Sequence, residues 1–316
     1  MCTSLTYTDT RGGHYFARTM DFPTTTPWRP IFLPRGYQWP TGLQTNRTTR
    51  YAILGGGRLP IHFASCLMAD GLNEAGLTCA ELYLPHAVHY QSAAQTDQIN
   101  LTPQGFINWV LGEHATVAEV QADLPRVNLV AGLWGGADQV YPFHWFISDQ
   151  TGAQIVIEPT TPTLHAQANP AGVLTNTPTL PVHLTNLRRL LDVADQPFEA
   201  VRTAAQNWVA SQRPLPSGVV PTRRFNHMAI RRLGSPQLTP AQAPTTLLDW
   251  LAAVSIPFDP AKRNQVSHNY THYRSVIDLT HATYHFVART TLRHQQIQLT
   301  PTMAATWHAP FIFRAD

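Results

Sequence analysis

The chain has 316 residues, 43% of them hydrophobic, with 22 Lys and Arg against 19 Asp and Glu for a formal net charge of +3. The apolar share is enough for a sizeable core, and with only 13% of residues charged the surface must draw on Thr, Gln, Asn, His and Pro. The basic residues are dispersed and, Lys262 apart, all arginine, which argues against nucleic acid and suits small anionic substrates. No charged apolar leader and no apolar run of about 18 residues occurs, so we expect a soluble, cytoplasmic protein with no membrane partner.

Cys2 directly follows Met1. Thr3 to Tyr7 alternates polar and apolar residues and reads as a strand. The turn Arg11-Gly12-Gly13 leads to a second strand, His14 to Met20, which returns Arg18 and Asp21 toward the start, so the hairpin places a cation and a carboxylate beside Cys2. Residues 23–49 are rich in Pro and Thr and read as loops around short strands, with Trp28, Phe32 and Tyr37 as core anchors. Tyr51 to Gly55 is a strand that ends at Gly55-Gly56-Gly57, with no Lys-Ser/Thr after it to make a phosphate loop. Phe63 to Ala69 and Leu77 to Leu84 read as strands joined by DGLNEAG, which makes Asp70, Gly71, Asn73 and Glu74 turn residues with a structural role.

Thr102-Pro103 caps and opens a helix through Gly112, and Thr116 with Glu119 forms a capping box for the next, which ends before Pro125. Residues 127–133 and 143–148 look like strands around the loop WGGADQ, and Gln154 to Ile157 is a further strand. Helical patterns cover 185–194, 198–211, 222–233 and 245–254, and strands return over 274–299. With no internal repeat and no break in composition, residues 1–316 read as a single α+β domain.

The three cysteines differ in setting. Cys66 and Cys79 lie in apolar, strand-like surroundings and read as buried thiols, with no need of a disulfide in a chain this long. Cys2 becomes chemically distinct once Met1 is removed, because one α-carbon then carries both a thiol and a free amine. A thiol with a pKa of about 8.5 beside an amine of about 7.7–8.0 is a nucleophile with its own base. Fifteen histidines invite a metal reading. Yet there is no HExxH and no CxxC pair, and His86 with His89 and His281 with His285 fall in or beside strand-like runs that splay them. No GxSxG elbow supports a serine hydrolase either.

The segments MCTSLTYTD, HYFARTMD, YAILG, DGLNEAGL, FHWFISDQTG, VLTNTPT, LTNLRR, RRF and YRSVIDL follow one another as in the choloylglycine hydrolases. The chain resembles that family of N-terminal-nucleophile hydrolases, the bile salt hydrolases and penicillin V acylases, from Cys2 to about Phe286. The resemblance implies a four-layer αββα sandwich, two antiparallel sheets between helical layers, and a homotetramer. It implies Cys2 as nucleophile, Arg18 close to the sulfur, Asp21 holding the α-ammonium, and Asn176 with the Tyr83 N–H as oxyanion donors. Arg224 would stabilise the transition state, with Arg223 as its rival. By a looser alignment Met20, Phe63, Leu133, Trp134 and Val140 fall in substrate loops.

Two departures bear on the pocket. Bile salt hydrolases generally carry Asn where this chain has Tyr83, a choice more typical of penicillin V acylases. The loop Leu215 to Gly218 reads LPSG, without the family's acidic residue. The expectation is a cofactor-free, metal-free amidase for a small-molecule amide with a bulky apolar acyl part and a small polar amine. Penicillin V is favoured over conjugated bile salts and acyl-homoserine lactones. A non-catalytic protein that sequesters amphipathic acids on the same fold is the reading from another class.

Overall fold

The structure is a computed structural model, and it describes residues 2–23, 27–43, 46–58, 67–133, 140–262, 265 and 268–314. The chain opens with a hairpin of β1 (Thr3–Thr8) and β2 (His14–Phe22), paired from Thr3↔Thr19 to Thr8↔His14. Its turn has Gly12 at φ +83°, and the Asp9 carboxylate accepts from the backbone N–H groups of Arg11 and Gly13. Next come β3 (Arg29–Leu33), the short pair β4 (Gln38–Trp39) and β5 (Arg47–Thr48), then β6 (Ile53–Arg58), β7 (Leu67–Asn73) and β8 (Leu77–Tyr83). β9 (Ile99–Leu101), α1 (Phe106–Glu113), α2 (Val117–Asp123) and β10 (Val127–Leu129) precede β11 (Phe143–Asp149), β12 (Gln154–Ile157), β13 (Ala166–Gln167) and β14 (Val173–Leu174). Four helices follow: α3 (Leu180–Leu190), α4 (Phe198–Ala210), α5 (Pro221–Gly234) and α6 (Ala243–Ala253). The chain closes with β15 (Tyr270–Asp278), β16 (Thr283–Ala288), β17 (His294–Gln298), α7 (Pro301–Thr306) and β18 (Phe311–Ile312).

Two antiparallel sheets result. One has the order β14-β1-β2-β15-β16-β17, the other β13-β12-β11-β8-β7-β6-β3-β18. Their facing sides meet in an apolar layer where Phe16 of β2 meets Phe146 of β11 edge-on, ring centroids 5.3 Å apart. Outside the larger sheet, α1 and α2 pack in a second cluster around Phe106, Trp109 and Trp145. Outside the smaller sheet, α5 and α6 bring Phe225, Met228 and Leu251 to the main core. The expected αββα sandwich is therefore the fold.

Several local expectations change. Gly55, Gly56 and Gly57 lie inside β6 rather than ending it. A Cβ on Gly56 would stand 2.3 Å from the Tyr273 hydroxyl and 2.6 Å from Asp70 Oδ1, so the close approach of the two sheets there requires glycine. Asp70 is no turn residue. It sits buried in β7 and accepts from Gly56 N, Tyr273 Oη, Tyr284 Oη and Ser275 Oγ, which ties the larger sheet to β15 and β16 of the smaller. Only Glu74 to Gly76 form the turn. Thr102 makes no side-chain cap, although Pro103 does open the turn before α1. Thr116 caps α2 as expected, with Glu119 N donating to Thr116 Oγ1 at 3.2 Å, but the Glu119 carboxylate accepts from Ala115 N rather than from Thr116 N, so the box is only half closed.

The run 127–133 yields only the three-residue β10. The helix expected at 185–194 begins at Leu180, because the carboxylate of Glu158, brought from the end of β12, accepts the Leu180 N–H in place of a local cap. α7 was not anticipated, although Thr300 caps it through Met303 N and Pro301 opens it. Phe63, Cys66 and the loop WGGADQ lie outside the described residues.

Candidate active site

The spacing of β2 explains how one strand serves the site from both sides. Successive side chains of a strand alternate faces, so positions 18 and 21 point oppositely. Arg18 shares the face of Phe16 and reaches the larger sheet. Asp21 turns toward β15 and α5.

Arg18 is fully buried. Its Nη2 donates to Cys2 Sγ at 2.9 Å and contacts Met20 Sδ at 3.2 Å. Its Nη1 donates to the carbonyls of Ala69 at 2.5 Å and Glu81 at 3.2 Å. The β7–β8 ladder ends at Asp70↔Ala80, one step before those carbonyls. The guanidinium thus takes the place of the next pairing and satisfies both acceptors. Burial pulls the Arg18 pKa down, but Cys2, Tyr273, Asp70 and Glu81 more than offset this, and the net shift is upward. The cation beside the sulfur stays charged.

Asp21 is also buried. Its Oδ1 accepts from Thr271 Oγ1 at 2.6 Å, and its Oδ2 accepts from Thr19 Oγ1 at 3.2 Å and lies 3.8 Å from Arg224 Nη1. Arg224 enters from the first turn of α5. It donates to Cys2 O at 2.6 Å, to Thr3 Oγ1, and from Nη2 to Asn176 Oδ1 at 2.9 Å. Burial lowers its pKa, opposed by Asp21 and Cys2. Arg223 is exposed and donates to Ser217 O, so Arg224 is the arginine brought to the cluster.

Asn176 links the two sheets. Its Oδ1 accepts from Cys2 N, and its Nδ2 donates to Tyr83 O at 2.8 Å. Behind it, His183 Nε2 donates to Asn176 O at 2.8 Å while the ring stacks on Phe225. Burial drives the His183 pKa down to about 4, so the ring is neutral at pH 7, with its proton on Nε2 because a carbonyl only accepts.

The Tyr83 N–H is placed by strand geometry. Leu84 N donates to Pro142 O, and Phe143 N donates to Tyr90 Oη instead of to β8. In an antiparallel ladder this makes Tyr83↔Phe143 the non-bonded pair, so the N–H and C=O of Tyr83 both point away from β11, to the side Asn176 occupies.

A small pocket opens at Cys2 between the parted strands. Phe22, Trp28, Met68 and Phe143 supply its apolar walls together with the anticipated Met20 and Tyr83. Leu133 is 63% exposed, and neither it nor Val140 lines this pocket. Phe63 and Trp134 lie outside the described residues.

Glu81 also lines the pocket, and the motif reading passed over it. Burial raises its pKa to about 8, with Asp70 adding to the rise and Arg18 and Arg58 opposing it. Its signal was a lone carboxylate in the apolar strand LTCAELYL. Among the described residues no group of three or more His, Cys, Asp or Glu side chains could hold a metal ion, and no helix is long and apolar enough to cross a membrane.

The family model for linear amide C–N hydrolases, choloylglycine hydrolase family, matches residues 2–303. The chain belongs to the choloylglycine hydrolase family. It is therefore a hydrolase of linear amide C–N bonds. Among choloylglycine hydrolase relatives, a bile salt hydrolase/transferase of Clostridium perfringens is 32% identical over 238 residues, 73% of this chain and 72% of that protein. A conjugated bile acid hydrolase of Lactobacillus gasseri is 31% identical over 241 residues, 75% of this chain and 76% of its own length. In structure, the C2A mutant of a conjugated bile acid hydrolase from Clostridium perfringens superposes with a TM-score of 0.81 at 25% identity, covering 100% of this chain and 97% of that one. A penicillin V acylase from Agrobacterium tumefaciens shares the fold, with a TM-score of 0.72 at 21% identity over 95% of this chain and 87% of its own.

Proposed function

We propose that this hydrolase is a cysteine amidase that works through the sulfur and α-nitrogen of Cys2. The observation that carries the reading is the pair of contacts on that residue: Arg18 Nη2 at 2.9 Å from Sγ, and Asn176 Oδ1 on the nitrogen. With Met1 attached the nitrogen is an amide N–H, and excision of Met1 makes it an α-amine. The amine takes the thiol proton and the thiolate attacks the substrate carbonyl carbon. Asn176 Nδ2, which has a second N–H beyond the one on Tyr83 O, and the Tyr83 N–H then stabilise the oxyanion. The C–N bond breaks as the α-ammonium returns its proton to the departing amine. Water, deprotonated by the same amine, attacks the thioester, and the C–S bond breaks to release the acid. Arg224, with the Asp21 carboxylate beside it, fixes the Cys2 carbonyl and the Asn176 amide.

The enclosed aromatic pocket supports an apolar acyl part, with the polar amine directed outward. Tyr83 on the pocket wall supports a penicillin V-like preference over glycine- or taurine-conjugated bile salts, with acyl-homoserine lactones as a further class. We take residues 1–316 as one domain, cytoplasmic and homotetrameric. Two measurements test the chemistry. Intact mass should lack Met1, and Cys2→Ala should abolish hydrolysis of penicillin V and glycocholate assayed in parallel. Full activity in Cys2→Ala would falsify the mechanism, and glycocholate cleaved far faster than penicillin V would reverse the substrate preference.

A further inference from the structure

The pocket holds one polar group that the proposed mechanism leaves idle. Glu81 Oε2 is enclosed and has no hydrogen-bond partner among the described residues. Its backbone carbonyl is occupied by Arg18, so the strand is fixed and the carboxyl has a defined place on the wall. An enclosed polar atom without a partner carries a desolvation cost that any bound group able to hydrogen-bond to it removes. A pocket built this way discriminates strongly against a ligand that lacks the matching group.

The surroundings narrow what that group is. The walls beside it are flat rings: Phe22, Trp28, Tyr83 and Phe143. Tyr141 continues the stack behind, its ring 6.0 Å from that of Phe143 and nearly parallel to it. Flat aromatic walls fit an aryl group. A cationic substituent is disfavoured because Arg18 and Arg58 already act on Glu81. A neutral oxygen suits a protonated carboxyl, which carries no charge and offers both a donor and an acceptor. Burial holds the Glu81 proton on to about pH 8, with Asp70 adding to this against Arg18 and Arg58, so at neutral pH the carboxyl both donates and accepts.

We propose that Glu81 selects the acyl part of the substrate, by hydrogen-bonding a neutral ether or hydroxyl oxygen carried on an aromatic acyl group seated in the Cys2 pocket. The inference rests on the amidase reading above, in which the apolar acyl part enters this pocket. It makes Glu81 a specificity residue and gives it no part in bond breaking.

The test uses two matched pairs of N-acylglycines. In one, phenoxyacetyl is set against 3-phenylpropanoyl, which replaces the oxygen by a methylene. In the other, (3-hydroxyphenyl)acetyl is set against (3-methylphenyl)acetyl. kcat/KM is measured for the wild type, Glu81→Gln, Glu81→Leu and Glu81→Met. The wild type should favour the oxygen-bearing member of at least one pair by about tenfold or more, the size of one relieved hydrogen-bonding group. Glu81→Gln, which keeps a donor and an acceptor, should retain most of that ratio, and Glu81→Leu and Glu81→Met should bring it near one. A wild-type ratio within about twofold in both pairs, below what one such bond supplies, overturns the proposal. So does an unchanged ratio in folded Glu81→Leu or Glu81→Met. Should neither apolar variant fold, the wild-type ratio alone decides. If the wild type cleaves none of the four, the amidase reading fails separately, and calorimetric binding of the same compounds decides the role of Glu81 by the same ratios.

Discussion

Cys2, Arg18, Asn176 and Glu81 show how much chemistry one end of a strand can gather. In the proposed mechanism Asn176 does two things: it holds the Cys2 nitrogen through Oδ1 and offers Nδ2 to the oxyanion. Asn176→Ala should therefore lower kcat by about 100- to 1000-fold, the usual loss for one oxyanion donor, with a smaller change in KM. Arg224→Ala should be severe, because it removes donors to Cys2 O and Asn176 Oδ1 from a fully buried place, whereas Arg223→Ala should match wild type in the same kinetic assay. Glu81 carries a pH signature of its own. Its pKa is raised from an ordinary 4.5 to about 8, so between those values the folded state holds a proton that the unfolded state has lost. Stability must then fall as pH rises through that window. Urea unfolding across it should show the wild type losing stability relative to Glu81→Gln as pH increases. Parallel curves for the two proteins would mean that the folded carboxyl titrates normally.

At the scale of elements, the site exists because two strands part. β7 and β8 pair up to Asp70↔Ala80, and beyond that Arg18 replaces strand-to-strand bonding. Asp70 holds the sheets together just below the split, with four donors on one buried carboxylate. The glycines of β6 allow that closeness. Gly56→Ala adds a methyl group 2.3 Å from the Tyr273 hydroxyl, 2.6 Å from Asp70 Oδ1 and 2.6 Å from the Tyr284 hydroxyl. We expect it to destabilise the fold by about 1–3 kcal/mol, the usual cost of overpacking, measured as a lower urea midpoint. A neutral result would mean that the sheets can separate there without penalty.

For the whole molecule, four layers bring Cys2, just before β1, and residues from β2, β8 and α5, and from the loop after β14, to one point, although they span positions 2 to 224 in the chain. The homotetramer proposed from the family resemblance leads to a direct expectation. Sedimentation equilibrium should return four times the chain mass over a dilution series, and a monomer throughout would remove it.

The sequence by itself determined the hairpin that carries Arg18 and Asp21, the Thr116 cap of α2, helices α4 to α6 and the family, because each is written in short spacings or in an ordered set of motifs. Cys2, Asn176 and Arg224 were legible through those motifs. Only the tertiary structure decided that Asp70 is a tie between sheets and that Gly55 to Gly57 lie within a strand. Only it separated Arg224 from Arg223 and found Glu81 in the pocket, and it started α3 at Leu180 rather than five residues later. The reason is the same in each case. These properties depend on partners far away in the chain, such as Tyr273 for Asp70 or Glu158 for Leu180, and a local pattern holds no record of which distant atom will arrive beside it.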